Sequence, residues 1–158
     1  TAKNFTIDGA SVSHLSTGAA TDNGIAVVAG SLYNKGHVEN VTVLNATVSG
    51  NRYVGAIAGY VYGNIKNCTV KGVTLTATPD KETGSYDNGD KVGAIAGYFS
   101  YAKGAYVVTG NVVENAKAIL LTEDGTEASL RVVAMSPAEK VRPEERSIPE
   151  QASSVPES

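Results

Sequence analysis

The side chains in this sequence with most to offer chemically are eight tyrosines, two histidines and a scatter of carboxylates. Tyr60, Tyr62, Tyr98, Phe99 and Tyr101 follow two glycine-rich segments. Aromatic rings gathered on one edge make a platform for sugar rings or for a partner protein, so these five are the candidate ligand-binding residues. The competing reading is structural, with each Tyr packed on its neighbour at the end of a stacked strand. Asp80, Glu82, Asp87 and Asp90 lie in one polar stretch with an Asn88-Gly89 turn and form a weak calcium candidate. They lack the ordered ligand spacing of a calcium loop, and a plain polar excursion explains them as well. His14 and His37 are expected in different loops, with no carboxylate at ligand spacing and no nucleophile alongside. Outward strand positions carry Thr, Ser and Lys, and the acids are expected in loops, the tail and a terminal hairpin. Paired carboxylates of the kind that hydrolyse glycosides are therefore not anticipated. The expectation is a chain with no catalytic residue, no metal and no cofactor.

Asn4, Asn40, Asn45 and Asn67 each open an Asn-x-Ser/Thr sequon. Three of them share one repeat position, which favours a structural account: Asn tolerates left-handed backbone and bonds locally at a corner. Ser11/Ser13, Thr47/Ser49 and Thr74/Thr76 would line one outer face. Such an array can match an ice lattice, but it is short and is expected to break at Val112/Glu114, so a β-favouring solvent face is the simpler reading. Cys68 occupies an inward position shared with Phe5 and Val41 and reads as a buried small hydrophobe.

Composition limits the function classes. The chain has 158 residues, 42% of them hydrophobic, and a net charge of −3. The 13 Lys and Arg are scattered singly, so no electrostatic footprint for nucleic acid exists. No apolar run approaches the roughly 18–20 residues that a membrane helix needs. An opening Thr1 without a charged leader is what a mature exported protein or an excised fragment would carry. The lone cysteine excludes an intramolecular disulfide.

What must position these residues is a repeat. VGAIAGY at Val54–Tyr60 returns at Val92–Tyr98, with a worn copy at Ile25–Ser31. NVTVLNATV at Asn40–Val48 aligns with Asn67–Leu75 and Asn4–Val12. The second pattern recurs after 36 and then 27 residues, the first after 29 and then 38. Rungs of constant form with loops of variable length fit these intervals. Within the second pattern Phe5/Val41/Cys68 and Ile7/Val43/Val70 face one way and Thr6/Thr42/Thr69 the other. Beyond a two-residue bend, Ala10/Ala46/Val73 and Val12/Val48/Leu75 face in. Period two repeated in every copy means stacked, half-buried strands, each too thin to fold without its neighbours. Carrying the 38-residue interval forward sets Tyr106–Val113 against Cys68–Leu75, with Ala105 in place of the Asn.

The fold expected is all-β: a solenoid-like stack resembling a parallel β-helix over residues 1–116, a hairpin cap over 117–135 and an extended or disordered tail over 136–158. The hairpin pairs Ala118–Thr122 with Leu130–Ala134 through an Asp-Gly turn. Four of the five prolines lie in the tail, and no glycine follows Gly125. The tail could add a strand to a neighbouring subunit.

The strand VGAIAGY followed by IKNCTVKGVTL resembles the GLUG-type repeats of bacterial secreted and cell-surface proteins, closely at 54–75, clearly at 92–98 and faintly at 4–12 and 25–48, over roughly the first 115 residues. The resemblance implies export, and a non-catalytic role in adhesion, surface display or assembly. It brings no functional residue with it. The partner expected is a protein or a surface glycan, with self-assembly through a terminal strand or the tail as a further route. A carbohydrate-binding module using the Tyr edge is the alternative, and a domain flanking a larger secreted enzyme is another.

Overall fold

The computed structural model describes residues 1–14, 24–51, 53–78, 91–100, 106–121, 127–129 and 140–141, and every regular element among them is a β-strand. The first turn of the chain carries β1 (Ala2–Asp8), β2 (Ser11–His14) and β3 (Ala29–Leu32). The second carries β4 (His37–Leu44), β5 (Thr47–Gly50), β6 (Val54–Gly55) and β7 (Ala58–Val61). The third carries β8 (Asn64–Lys66), β9 (Thr69–Lys71), β10 (Thr74–Ala77), β11 (Val92–Gly93) and β12 (Ala96–Phe99). The fourth carries β13 (Tyr106–Thr109), β14 (Val112–Glu114) and β15 (Lys117–Leu121). Every strand from β1 to β15 pairs in parallel with a counterpart in an adjacent turn, so the chain is a β-solenoid with its sheets running along the stack.

The registers follow the sequence intervals. Phe5 pairs with Val41, and Thr42 with Thr69, on the sheet that begins with β1. Val12 pairs with Val48, and Leu75 with Val48, on the sheet that begins with β2. Val54 pairs with Val92, and Tyr60 with both Ser31 and Tyr98. The alternation anticipated from period two holds through the middle turns. Val41, Val43, Val48, Val70, Val73 and Leu75 are buried, and the threonines between them are partly or fully exposed.

Two columns of left-handed residues turn the chain at its corners. Asn4, Asn40, Asn67 and Gly110 form one, with φ of 61°, 53°, 54° and 68°. Gly9, Asn45, Gly72 and Asn115 form the other, with φ of 76°, 49°, 67° and 49°. Only Gly, and Asn among the rest, adopts this conformation readily, which is why these two types fill both columns. The glycines have a second use. A Cβ on Gly72 would come 2.8 Å from Asn45 Oδ1, and one on Gly110 would strike Asn67 Oδ1, so each Asn side chain lies over the glycine of the next turn.

The glycine-rich segments form a tight arch. Gly59 has no room for a Cβ, because Gly24, the Ile25 amide and the Tyr53 carbonyl press on it, and Gly97 meets Tyr53 and Val54 in the same way. Closing the arch this tightly buries Val54, Ala56, Ile57 and Ala58 in one turn and Val92, Ala94, Ile95 and Ala96 in the next.

The fourth turn departs from the register expected of it. Thr69 pairs with Val112 and Thr74 with Lys117, an interval of 43 residues where 38 was anticipated. The extra residues fall between β12 and β13, so Gly110, not Ala105, continues the Asn column. The Ser/Thr face accordingly ends at Lys117 and Ile119 instead of Val112 and Glu114. β15, assigned from sequence to the cap, is also the last parallel strand of the stack. It then pairs antiparallel with β16 (Glu127–Ser129), so the return strand begins at Glu127 and not Leu130. β17 (Lys140–Val141), in the tail, pairs antiparallel with β13 of its own chain.

Both histidines lie on strands, His14 at the end of β2 and His37 at the start of β4, so their placement in loops is corrected. Acids also stand on strands, contrary to expectation: Glu39 of β4 pairs with Lys3 at 3.0 Å and Glu114 of β14 with Lys71 at 3.5 Å. Equivalent positions of successive turns sit one strand apart, which favours opposite charges there.

Candidate functional site: a tyrosine cluster on the arch

Tyr60 and Tyr98 are paired in register on β7 and β12, and their rings stack at 5.4 Å with 28° between planes. Tyr53 lies against both, 5.0 Å from Tyr98 and 5.4 Å from Tyr60. Tyr62 meets Tyr60 at 5.7 Å and Tyr33 at 5.0 Å, both close to perpendicular. Lys91 completes the group with its ammonium 4.6 Å from the centre of the Tyr98 ring.

Three of the five expected binding residues, Tyr60, Tyr62 and Tyr98, are thus brought together. Phe99 is not. It alternates with Tyr98 along β12, points into the core and stacks on buried Tyr106 at 6.3 Å. Tyr101 lies outside the described residues, as do Asp80, Glu82, Asp87 and Asp90. Tyr33 and Tyr53 belong to the cluster and were missed. The 29-residue interval sets Tyr33 one turn before Tyr62, and Tyr53 directly precedes the arch, so the repeat spacing contained the signal.

The geometry limits what the cluster can do. A sugar packs on an exposed aromatic face, and the faces of Tyr60, Tyr98 and Tyr53 are turned on one another. Tyr33 is the exception: it is 54% exposed and meets Tyr62 nearly at right angles.

Other polar groups along the stack also join turn to turn. Asn64 Nδ2 lies 3.1 Å from His37 Nδ1, and Ser49 donates to Ser13 at 3.0 Å. Cys68, buried as expected, has its thiol pKa pushed up by burial. Its backbone N–H donates to Asn111 Oδ1 at 2.9 Å, while Asn111 Nδ2 donates to the Ile65 carbonyl at 3.1 Å. Asn111 itself is only 5% exposed. Among the described residues no group of three His, Cys, Asp or Glu side chains is placed to hold a metal ion.

Residues 50–76 match the family model described as the GLUG motif. That segment is a GLUG repeat. In the fold it is one full turn of the stack, since Gly50 pairs with Ala77, the first residue beyond the match. The strands on either side pair with it in register, and the corner held by its Asn67 is held by Asn40 in the turn before and by Gly110 in the turn after. Over 67 residues the chain is 37% identical to Halomucin of Haloquadratum walsbyi (strain DSM 16790 / HBSQ001), a match covering 42% of this chain and 1% of that protein. The chain therefore corresponds to a small part of that relative's length. No solved structure matches it. No helix among the described residues is long and apolar enough to cross a membrane.

Proposed function

We propose that this chain is a non-catalytic extracellular repeat module that serves adhesion, surface display or assembly. One observation carries the proposal: among the described residues, polar and aromatic side chains are engaged with their counterparts one turn away. Asn40 bonds Asn4, Ser49 bonds Ser13, and Tyr60 stacks on Tyr98. Such contacts stiffen a rod along its length. The GLUG motif and the likeness to part of a protein named Halomucin favour a place outside the cell.

A second reading, retention of glycans, is favoured by the exposure of Tyr33 alone. A glycan-array screen of the full chain beside a Tyr33→Ala variant separates the two. A blank array supports the structural module. Binding that disappears in Tyr33→Ala supports the glycan reading, and release of reducing ends from any bound polysaccharide would overturn the non-catalytic one.

A further inference from the structure

We propose that the N-terminal face of the stack is a docking surface for one further turn of the same repeat, added in parallel and in register ahead of β1. This goes beyond the structural role above, which would survive its failure.

Three of the four sheets end on this side with a strand of the first turn, and among the described residues nothing pairs with the outer edges of β1, β2 and β3. The interior columns are uncovered here. Phe5 is 38% exposed, whereas Val41 and Cys68, its successors in the column, are both at 0%. Ile7 and Val12 are partly exposed where Val43 and Val48 are buried. The opposite end is different, for antiparallel β16 and β17 cover β15 and β13.

The surface specifies its occupant. Asn4 uses its side-chain oxygen to accept from Asn40, so its amide N–H groups are the donors left for the next member of that column. Charge alternates along Lys3, Glu39 and Lys66, which calls for an acid opposite Lys3. A copy of the second turn supplies both, with Glu39 facing Lys3 and Asn40 facing Asn4. A second copy of the chain docked head to head meets a parity conflict. Antiparallel pairing that matches the Asn4 and Gly9 corners sets inward Phe5 opposite outward Asp8, and outward Thr6 opposite inward Ile7.

The test is the full chain with a duplicate of residues 37–63 joined to Thr1, because Gly63 natively leads into Asn64, the counterpart of that position. Hydrogen exchange is followed at the amides of β1, with those of β10 as a measure of the native stack. The added turn should slow β1 exchange by about tenfold or more. Placing V43D and V48D in the duplicate alone should abolish this protection and leave β10 unchanged. Equal β1 exchange with and without the duplicate would overturn the proposal. So would slow β1 exchange in the unfused chain accompanied by a dimer in sedimentation, since a second copy would then already occupy the face.

Discussion

The side-chain amide of Asn40 donates to the side-chain oxygen of Asn4 across 3.0 Å, although 36 residues separate them, and both hold left-handed backbone. One residue type thus turns the corner within a rung and joins that rung to the next. These two roles separate experimentally. Asn40→Gly keeps the backbone conformation and loses the bond, so it should cost no more than about 1 kcal/mol. Asn40→Ala loses both and should cost about 1–2 kcal/mol more, from the strain of a left-handed Ala. Urea unfolding of the two variants checks the order.

The arch glycines should be far less tolerant than the corner ones. A Cβ on Gly59 meets backbone of Gly24, Ile25 and Tyr53, none of which can swing aside, whereas nothing lies within 4 Å of one on Gly9. Gly59→Ala should abolish the cooperative thermal transition. Gly9→Ala should retain it at a cost of about 1–2 kcal/mol from its left-handed φ.

Asn111→Ala should be among the costly polar substitutions. It orphans the buried Cys68 N–H and the Ile65 carbonyl, at about 1–3 kcal/mol for each group left unpaired. Asn111→Asp keeps an acceptor but sets a buried carboxylate against the Ile65 carbonyl, so at neutral pH its unfolding midpoint should lie no higher than that of the Ala variant.

Stability should decline in alkaline solution. Burial raises the Cys68 thiol above its ordinary 9.0 and the Tyr106 hydroxyl above its ordinary 10.0, and the latter is buried without a hydrogen-bond partner among the described residues. Both groups stay protonated in the folded chain at pH values where the unfolded chain has released its protons. Their contribution is thus complete below about pH 9, begins to fall as pH passes 9 for Cys68 and 10 for Tyr106, and is lost as pH rises on through their raised folded-state values. Denaturant midpoints from pH 7 upward test this, and Cys68→Ala should remove the earlier part of the decline. For the same reason Cys68 should resist alkylation until the chain unfolds.

Tyr60 touches the rings of Tyr33, Tyr53, Tyr62 and Tyr98, so Tyr60→Ala should destabilise by about 2–3 kcal/mol. Tyr33→Ala, at the exposed end of the cluster, should cost markedly less. Thermal midpoints of the two variants check the difference.

Much of this protein could be read from its sequence because a parallel stack repeats itself. The intervals 36, 27, 29 and 38 became strand registers without adjustment. Period two told inward valines from outward threonines, and the recurring Asn marked the corners, since few residues adopt positive φ. The tertiary structure alone decided whatever depended on how turns of unequal length meet. Nothing local reveals that the residues added between β12 and β13 move the fourth turn to an interval of 43, or that Asn111 thereby enters an apolar column as the partner of Cys68. Nor does any local signal set Tyr106 against Phe99, since the length of the connection between β12 and β13 decides where Tyr106 falls. Backbone pairing is periodic and therefore written along the chain. Side-chain company across turns depends on the lengths of the connections between them, and only the folded stack sets it.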